Sequence, residues 1–201
     1  MKRIVLASNN PGKLAELQTL FASLALSLLP QSQLNISEAK EPFFTFVENA
    51  LAKARHASLH SGLPALADDA GLCVDAFNGL PGVQTAFYCT QFGYLKSDDN
   101  NRKALLEQMA NETNRRAALV STLVAVRHPL DPEPLIAVGR VVGEITHEPR
   151  GSNGFGFDPV MYIPSMQQTF AEMPEATKNV LSHRGQASRL MSELMRERWL
   201  A

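Results

Sequence analysis

Two aspartates stand side by side at Asp68-Asp69, between the apolar residues Leu66-Ala67 and Leu72-Cys73-Val74. Like charges so close repel, and burial favours neutralising them, so the pair needs a cation, a shared proton or water. A solvated β-turn is the plain reading, with one strand closing at Ala67 and the next opening at Leu72. Small Ala70 leaves room beside the pair, and Gly71 is free to bend or to take a positive φ. The apolar neighbours and a second turn cluster, Gly79-Leu80-Pro81-Gly82, argue instead for a shaped wall, and a metal-bearing catalytic turn requires further support from the rest of the chain.

Ser8-Asn9-Asn10-Pro11-Gly12-Lys13 suits anions. It joins the apolar run Ile4–Ala7 to a helical pattern through Leu14, Leu17, Leu20 and Phe21. A polar, glycine-containing turn from strand to helix offers backbone N–H groups to phosphate, and Lys13 adds a full charge. It is not a Walker loop, which has a longer glycine-spaced pattern. A capped helix start with an incidental lysine is the plainer alternative. A third unusual stretch, Gly151-Ser152-Asn153-Gly154-Phe155-Gly156-Phe157-Asp158-Pro159, sets two phenylalanines among three glycines. Aromatic faces on a permissive backbone suit a planar ligand, although phenylalanine is often simply core.

These residues need elements to hold them. Ile4–Ala7 suits a buried strand and Leu24–Leu29 a second, followed by a polar connection over Gln31–Lys40. A helix is expected from Thr45 to Ser61, ended by Gly62, with Phe46, Ala50, Lys53, Ala54 and Ala57 near one stripe. A lysine there ordinarily snorkels to water. Val83–Tyr88 is expected to be extended, Ser97 to cap a helix through Met109, and Asn111–Arg116 to form a surface loop. Ala117–Val126 and Leu135–Thr146 suit long strands joined by a hairpin-type loop over His128–Pro134. An amphipathic helix with Leu190, Leu194 and Met195 on its apolar face closes the pattern near Trp199.

The composition is that of a soluble globular protein: 201 residues, 45% hydrophobic and 19% charged, with a net charge of -1. Such a balance argues against general binding to nucleic acid or an anionic membrane. No apolar run nears the length of a membrane span, and Asn9-Asn10-Pro11 ends the N-terminal run too early for a secretory signal. Cys73 and Cys89 have neither zinc-ligand spacing nor a disulfide framework, so free buried thiols in a cytoplasmic protein are expected.

Taken together, the segments resemble the inosine triphosphate/xanthosine triphosphate pyrophosphatase family. The resemblance is carried by Ser8–Lys13, Phe46-Val47-Glu48-Asn49-Ala50 with Lys53-Ala54, Ala67-Asp68-Asp69 with Gly71-Leu72 and Val74-Asp75-Ala76, Gly79–Val83, Gly154–Pro159 and Ser182-His183-Arg184, in the family's order. It implies one α/β domain over residues 1–201, with a long curved mixed sheet flanked by helices and two lobes around a cleft, usually as a homodimer. It implies Mg²⁺-dependent cleavage of ITP, dITP or XTP to the monophosphate and pyrophosphate. By position, Ser8, Asn9, Asn10, Pro11, Gly12, Lys13 and Lys53 would hold the triphosphate. Asp69 would be the general base and a metal ligand, with Glu41 the other ligand. Phe155, Gly156, Phe157, Asp158, Lys178, His183 and Arg184 would contact base and sugar, the arginine and histidine aiming donors at a 6-oxo group.

Three positions depart from the family pattern. Ala70 stands where a substrate-contacting serine is usual, Thr85-Ala86-Phe87 replaces Ser-Ala-Arg, and Pro42-Phe43-Phe44 replaces a glycine-containing turn, leaving Glu38 as a substitute for Glu41. The physical requirements agree with the resemblance. A triphosphate needs cations and backbone donors, and Mg²⁺ prefers a few carboxylates and water. Two rival readings share these residues: a related pyrophosphatase with another base preference, and a nucleotide-binding module that does not hydrolyse.

Overall fold

The computed structural model describes residues 2–24 and 26–200. Residue 25 of the expected Leu24–Leu29 strand, and both ends of the expected 1–201 domain, lie outside the described residues. In chain order the strands are β1 (Lys2–Leu6), β2 (Leu26–Pro30), β3 (Ala65–Val74), β4 (Arg116–Val126), β5 (Leu135–Ile145), β6 (Met161–Ile163) and β7 (Gln168–Thr169). The α-helices are α1 (Pro11–Leu20), α2 (Phe46–Ser61), α3 (Asp98–Gln108), α4 (Glu175–Leu181) and α5 (His183–Arg198). The strands form one mixed sheet in the order β2-β1-β3-β4-β5-β6-β7. β1 runs parallel to β2 and β3, and β6 antiparallel to β5 and β7. No described helix is long and apolar enough to cross a membrane.

The chain divides into two compact units. One comprises the described residues up to Asp69, Ser121–Gly139 and those from His183 on. Its strands are covered on both sides, which is why they read as unbroken apolar runs. Ile4, Leu6, Leu66 and Leu123 pack against Leu17 of α1, Phe21 just beyond its end, and Ala187, Met191 and Met195 of α5. The alternate residues Val5, Ala7, Ala65, Ala67 and Val124 pack against Ala50, Ala54 and Ala57 of α2. Gly139 of β5 lets α5 come close: a Cβ there would land on the His183 carbonyl and the Ala187 amide.

The other unit, Ala70–Val120 and Arg140–Ser182, is built around Leu72, Val74, Tyr88, Leu105, Met109, Phe157, Met161 and Phe170. Gly82–Phe92 is a 3₁₀ run and not the expected extended segment. It opens with Gly82 at φ 55°, and the Thr85 hydroxyl donates back to the Gly82 carbonyl at 2.5 Å, so local i→i+3 bonding wins over β-propensity. The short helix α4 was not expected.

The largest correction concerns the paired aspartates. β3 continues through Asp68, Asp69 and Gly71 without a turn, and Gly71 does not have a positive φ. Asp68 is 1% and Asp69 7% exposed, so neither is solvated. The C-terminal helix presents Ala187, Met191 and Met195 to the core, while Leu190 stays 46% exposed. Both cysteines are free, Cys89 buried and Cys73 partly exposed.

Candidate active site

In the first unit two charged groups form around the consecutive aspartates. Asn10 caps α1, its side chain accepting from the Lys13 N–H at 3.1 Å, with Pro11 in the first helical turn. Ser8 and Asn9 precede that cap, and Asn9 Nδ2 donates to Glu38 Oε1 at 3.2 Å. One turn of α1 carries Lys13 and Glu16 on the side of Leu17. Lys13 Nζ reaches Asp68 Oδ2 at 3.0 Å. Arg184, 2% exposed, donates to Asp68 Oδ2 through Nε and Nη2 at 3.2 and 3.1 Å, and through Nη1 to Glu16. The Ser121 hydroxyl donates to Asp68 Oδ1 at 2.6 Å. Burial alone would raise the Asp68 carboxyl, but Arg184, Lys13 and the Ser121 hydroxyl hold it far below the usual carboxylate range. Burial also pulls Lys13 below the ordinary lysine value; Asp68 opposes this, while Arg184 and Lys53 add repulsion.

The second group faces α2. Lys53 Nζ lies 2.7 Å from Asp69 Oδ1 and 2.8 Å from Glu41 Oε2, with its side chain 13% exposed. It therefore does not snorkel. Burial works against its charge, but Asp69 and Glu41 outweigh burial and keep its pKa above the ordinary value. Asp69 Oδ2 is buried and has no hydrogen-bond partner among the described residues. Glu41 is placed by its own segment, because the buried Asn49 amide accepts from the Phe43 N–H and donates to the Phe43 carbonyl.

This second group fits a divalent cation. One lysine sits against two carboxylates, leaving a net negative charge, and the orphaned Oδ2 supplies a lone pair. No cluster of three or more His, Cys, Asp or Glu ligands occurs among the described residues. Mg²⁺ is commonly held by one or two carboxylates, with phosphate oxygens and water completing its shell. Of the two glutamates considered, Glu41 is the one beside Lys53 and Asp69.

The remaining expected residues lie in the second unit, apart from His183, which opens α5 and is 6% exposed. Asp158 Oδ2 accepts from the Phe155 N–H at 2.9 Å and from Lys178 Nζ at 2.7 Å. Lys178 Nζ also sits 5.1 Å from the Phe155 ring centre. Gly154 has φ 76°, and a Cβ on it would strike the Asp158 carboxyl. Two of the expected residues are also built into the fold. Phe157 is a core residue, 4% exposed, because its aromatic area is better buried than presented. The Arg184 guanidinium binds Asp68 and Glu16 and so ties the start of α5 to β3 and α1. Among the departures, Thr85 accepts from the Leu72 N–H at 2.9 Å, and Phe87 is half exposed under Lys96. Sequence reasoning missed Glu16, Ser121, Asp98 and Arg102. Glu16 was legible in principle, as a second charged residue on the apolar stripe of α1.

Residues 4–194 match the model of the Ham1 family. The chain is 72% identical to the dITP/XTP pyrophosphatase of Albidiferax ferrireducens, over 98% of this chain and all of that one. It is 71% identical to the dITP/XTP pyrophosphatase of Polaromonas naphthalenivorans, with the same coverage. Among solved structures, a HAM1 protein from Coxiella burnetii superposes with a TM-score of 0.90 at 44% identity, covering 98% of this chain and 100% of that one. The Staphylococcus aureus Ham1 protein superposes with a TM-score of 0.85 at 35% identity, covering 98% and 99%.

Proposed function

The chain belongs to the Ham1 family, and we infer that it is a dITP/XTP pyrophosphatase, cleaving ITP, dITP or XTP to the nucleoside monophosphate and pyrophosphate. The observation that carries the chemistry is the Glu41–Lys53–Asp69 cluster with its unpartnered Asp69 oxygen.

In this reading Asp69 Oδ2 accepts a proton from the attacking water, whose oxygen forms a new bond to phosphorus as the phosphoanhydride P–O bond breaks, separating the monophosphate from pyrophosphate. Lys53 stays charged and neutralises oxygens of the triphosphate. The N–H groups at the start of α1, with Ser8–Gly12 and Lys13, orient its distal phosphates. A divalent cation, which we assign as Mg²⁺, would be held by Asp69 and Glu41 and would supply further neutralisation of phosphate oxygens. Phosphoryl transfer asks a protein mainly for such positioning and charge. Asp68 and Arg184 keep Lys13 and α1 in place. Phe155 offers a face to the purine, while Asp158, Lys178 and His183 supply polar contacts to base and sugar. Ala70 forgoes the hydroxyl that a serine would bring. The whole chain works as one catalytic domain, as a homodimer in the cytoplasm, without nucleic-acid or membrane partners.

The test is incubation with Mg²⁺ and a panel of purine and pyrimidine triphosphates, reading products and specificity constants. Pyrophosphate release with ITP, dITP and XTP preferred over ATP is the expected outcome. Equal specificity constants for ATP and ITP would refute the base assignment, and tight binding without turnover would identify a non-hydrolysing module.

A further inference from the structure

The loop Gly154–Asp158 carries the aromatic ring that the proposed function gives to the nucleobase. Gly154 and Gly156 take φ of 76° and 61°. A glycine-rich loop left to itself samples many conformations, and a ligand must then bear the cost of ordering it. Here the backbone is gripped from α3. The Gly156 N–H donates to Asp98 Oδ2 at 2.9 Å, and the Gly156 carbonyl accepts from Arg102 Nη1 at 2.6 Å. Asp98 and Arg102 are four residues apart and so share one face of the helix. The Asp99 carboxylate pairs with Arg102 and orients it, and Ser97 caps the helix that carries all three. On the other side of Phe155, its own N–H is held by Asp158, which Lys178 fixes in turn. Both polar groups of Gly156 and the amide of Phe155 are thus tied to side chains, in a loop whose glycines would otherwise leave it loose.

We propose that Asp98 and Arg102 are positioning residues for nucleobase selection: by holding Gly156 from its two sides they fix the Phe155 ring before substrate arrives. The proposal rests on reading this loop as the base site. Neither residue touches substrate; both act through the Gly156 backbone, and their effect falls on binding and base choice rather than on phosphate chemistry.

The test uses Asp98→Ala, Arg102→Ala, the double variant, and the conservative Asp98→Asn and Arg102→Lys. Three things are read: steady-state kinetics with ITP, GTP and ATP, thermal stability, and amide hydrogen exchange over residues 154–158 without ligand. Each alanine variant is expected to raise KM for ITP roughly tenfold with kcat within about twofold, the pattern of lost preorganisation. Each should also narrow the preference for ITP and speed exchange at Phe155 and Gly156. Asp98→Asn keeps an acceptor oxygen and should recover KM. The double variant should be little worse than either single one, because both act on one residue. Unchanged KM and base preference in stably folded Asp98→Ala and Arg102→Ala would overturn the proposal, as would equal losses in kcat and kcat/KM. Lack of ITP turnover by the wild-type protein would overturn the functional reading instead, and the exchange measurement tests the grip on Gly156 independently of it.

Discussion

Asp68 and Asp69 are consecutive residues of one strand, yet their carboxylates are neutralised on opposite faces of it. Asp68 shares the face of Leu66 and meets Lys13 and Arg184; Asp69 shares the face of Ala67 and meets Lys53. The alternation of a β-strand separates two charges that adjacency in sequence would force together. It also divides the labour, with one aspartate built into the scaffold and the other left with a free oxygen.

That free oxygen leads to the first expectation. Asp69→Asn should leave the fold intact and lower kcat by at least ~10², the usual size of a general-base contribution. Turnover near that of the wild type in folded Asp69→Asn protein would remove Asp69 from the role. Lys53→Ala should also damage turnover, since it would leave Asp69 and Glu41 facing each other without a cation.

Metal dependence follows from the two carboxylates around Lys53. Activity should vanish in excess EDTA and return with Mg²⁺, and pyrophosphate should be the direct product. Glu41→Gln should raise the Mg²⁺ concentration needed for half-maximal rate, measured by titration with the metal at saturating nucleotide. An unshifted titration would exclude Glu41 as a ligand.

Arg184→Ala should act on stability before it acts on base choice. It would leave Asp68 and Glu16 buried with one of their cations gone, and breaking a buried pair in this way costs about 3–5 kcal/mol. A marked fall in Tm is expected, with ITP and ATP affected alike. An unchanged Tm with altered base preference would return Arg184 to the base site.

The hairpin loop between β4 and β5 offers a pH test away from the active site. Asp131 accepts from the N–H, Nε and Nη2 of Arg127, each at 2.9 Å, and from the Glu133 N–H at 3.0 Å. The Arg127 hydrogen bonds hold its carboxyl well below the usual carboxylate range. The folded state therefore binds fewer protons there than the unfolded chain, so the stabilisation is complete above the unfolded value of about 3.9 and declines as pH falls below it. Asp131→Ala should destabilise the protein at pH 7 by about 1–3 kcal/mol, since it leaves backbone N–H groups without partners. The gap from wild type should shrink below pH ~4. Denaturant titrations at pH 7 and 3.5 check this, and a gap independent of pH would contradict it.

Gly139→Ala tests the close approach of α5 to β5. The added methyl would meet the His183 carbonyl and the Ala187 amide, both backbone, so relief requires the helix to move. Overpacking of this kind costs about 1–3 kcal/mol. Calorimetry reads it directly, and a Tm equal to that of wild type would show that the junction yields.

Local signals were legible where chain neighbours decide the outcome. The Thr45 cap and Gly62 stop of α2, the Ser97 cap of α3, and the long strands β4 and β5 all follow from capping chemistry and apolar runs. Lys13 and the aspartate pair stood out in the sequence by charge and setting, whereas Glu41 and a phosphate role for Lys53 came only with the family resemblance. Partner choice was not legible. Whether Asp68-Asp69 makes a turn or continues a strand depends on Lys13, Lys53 and Arg184, the last of which lies 116 residues away. Only the assembled sheet brings those cations to the two faces, and without them a buried aspartate pair would be prohibitive. The same holds for Arg184, whose donors suit a base or a carboxylate equally until Glu16 and Asp68 are placed beside it. Phe157 turned inward while Phe155 stayed beside Lys178 for a related reason. Two phenylalanines separated by one glycine look alike in sequence, and which one is buried is decided by the core that forms around them.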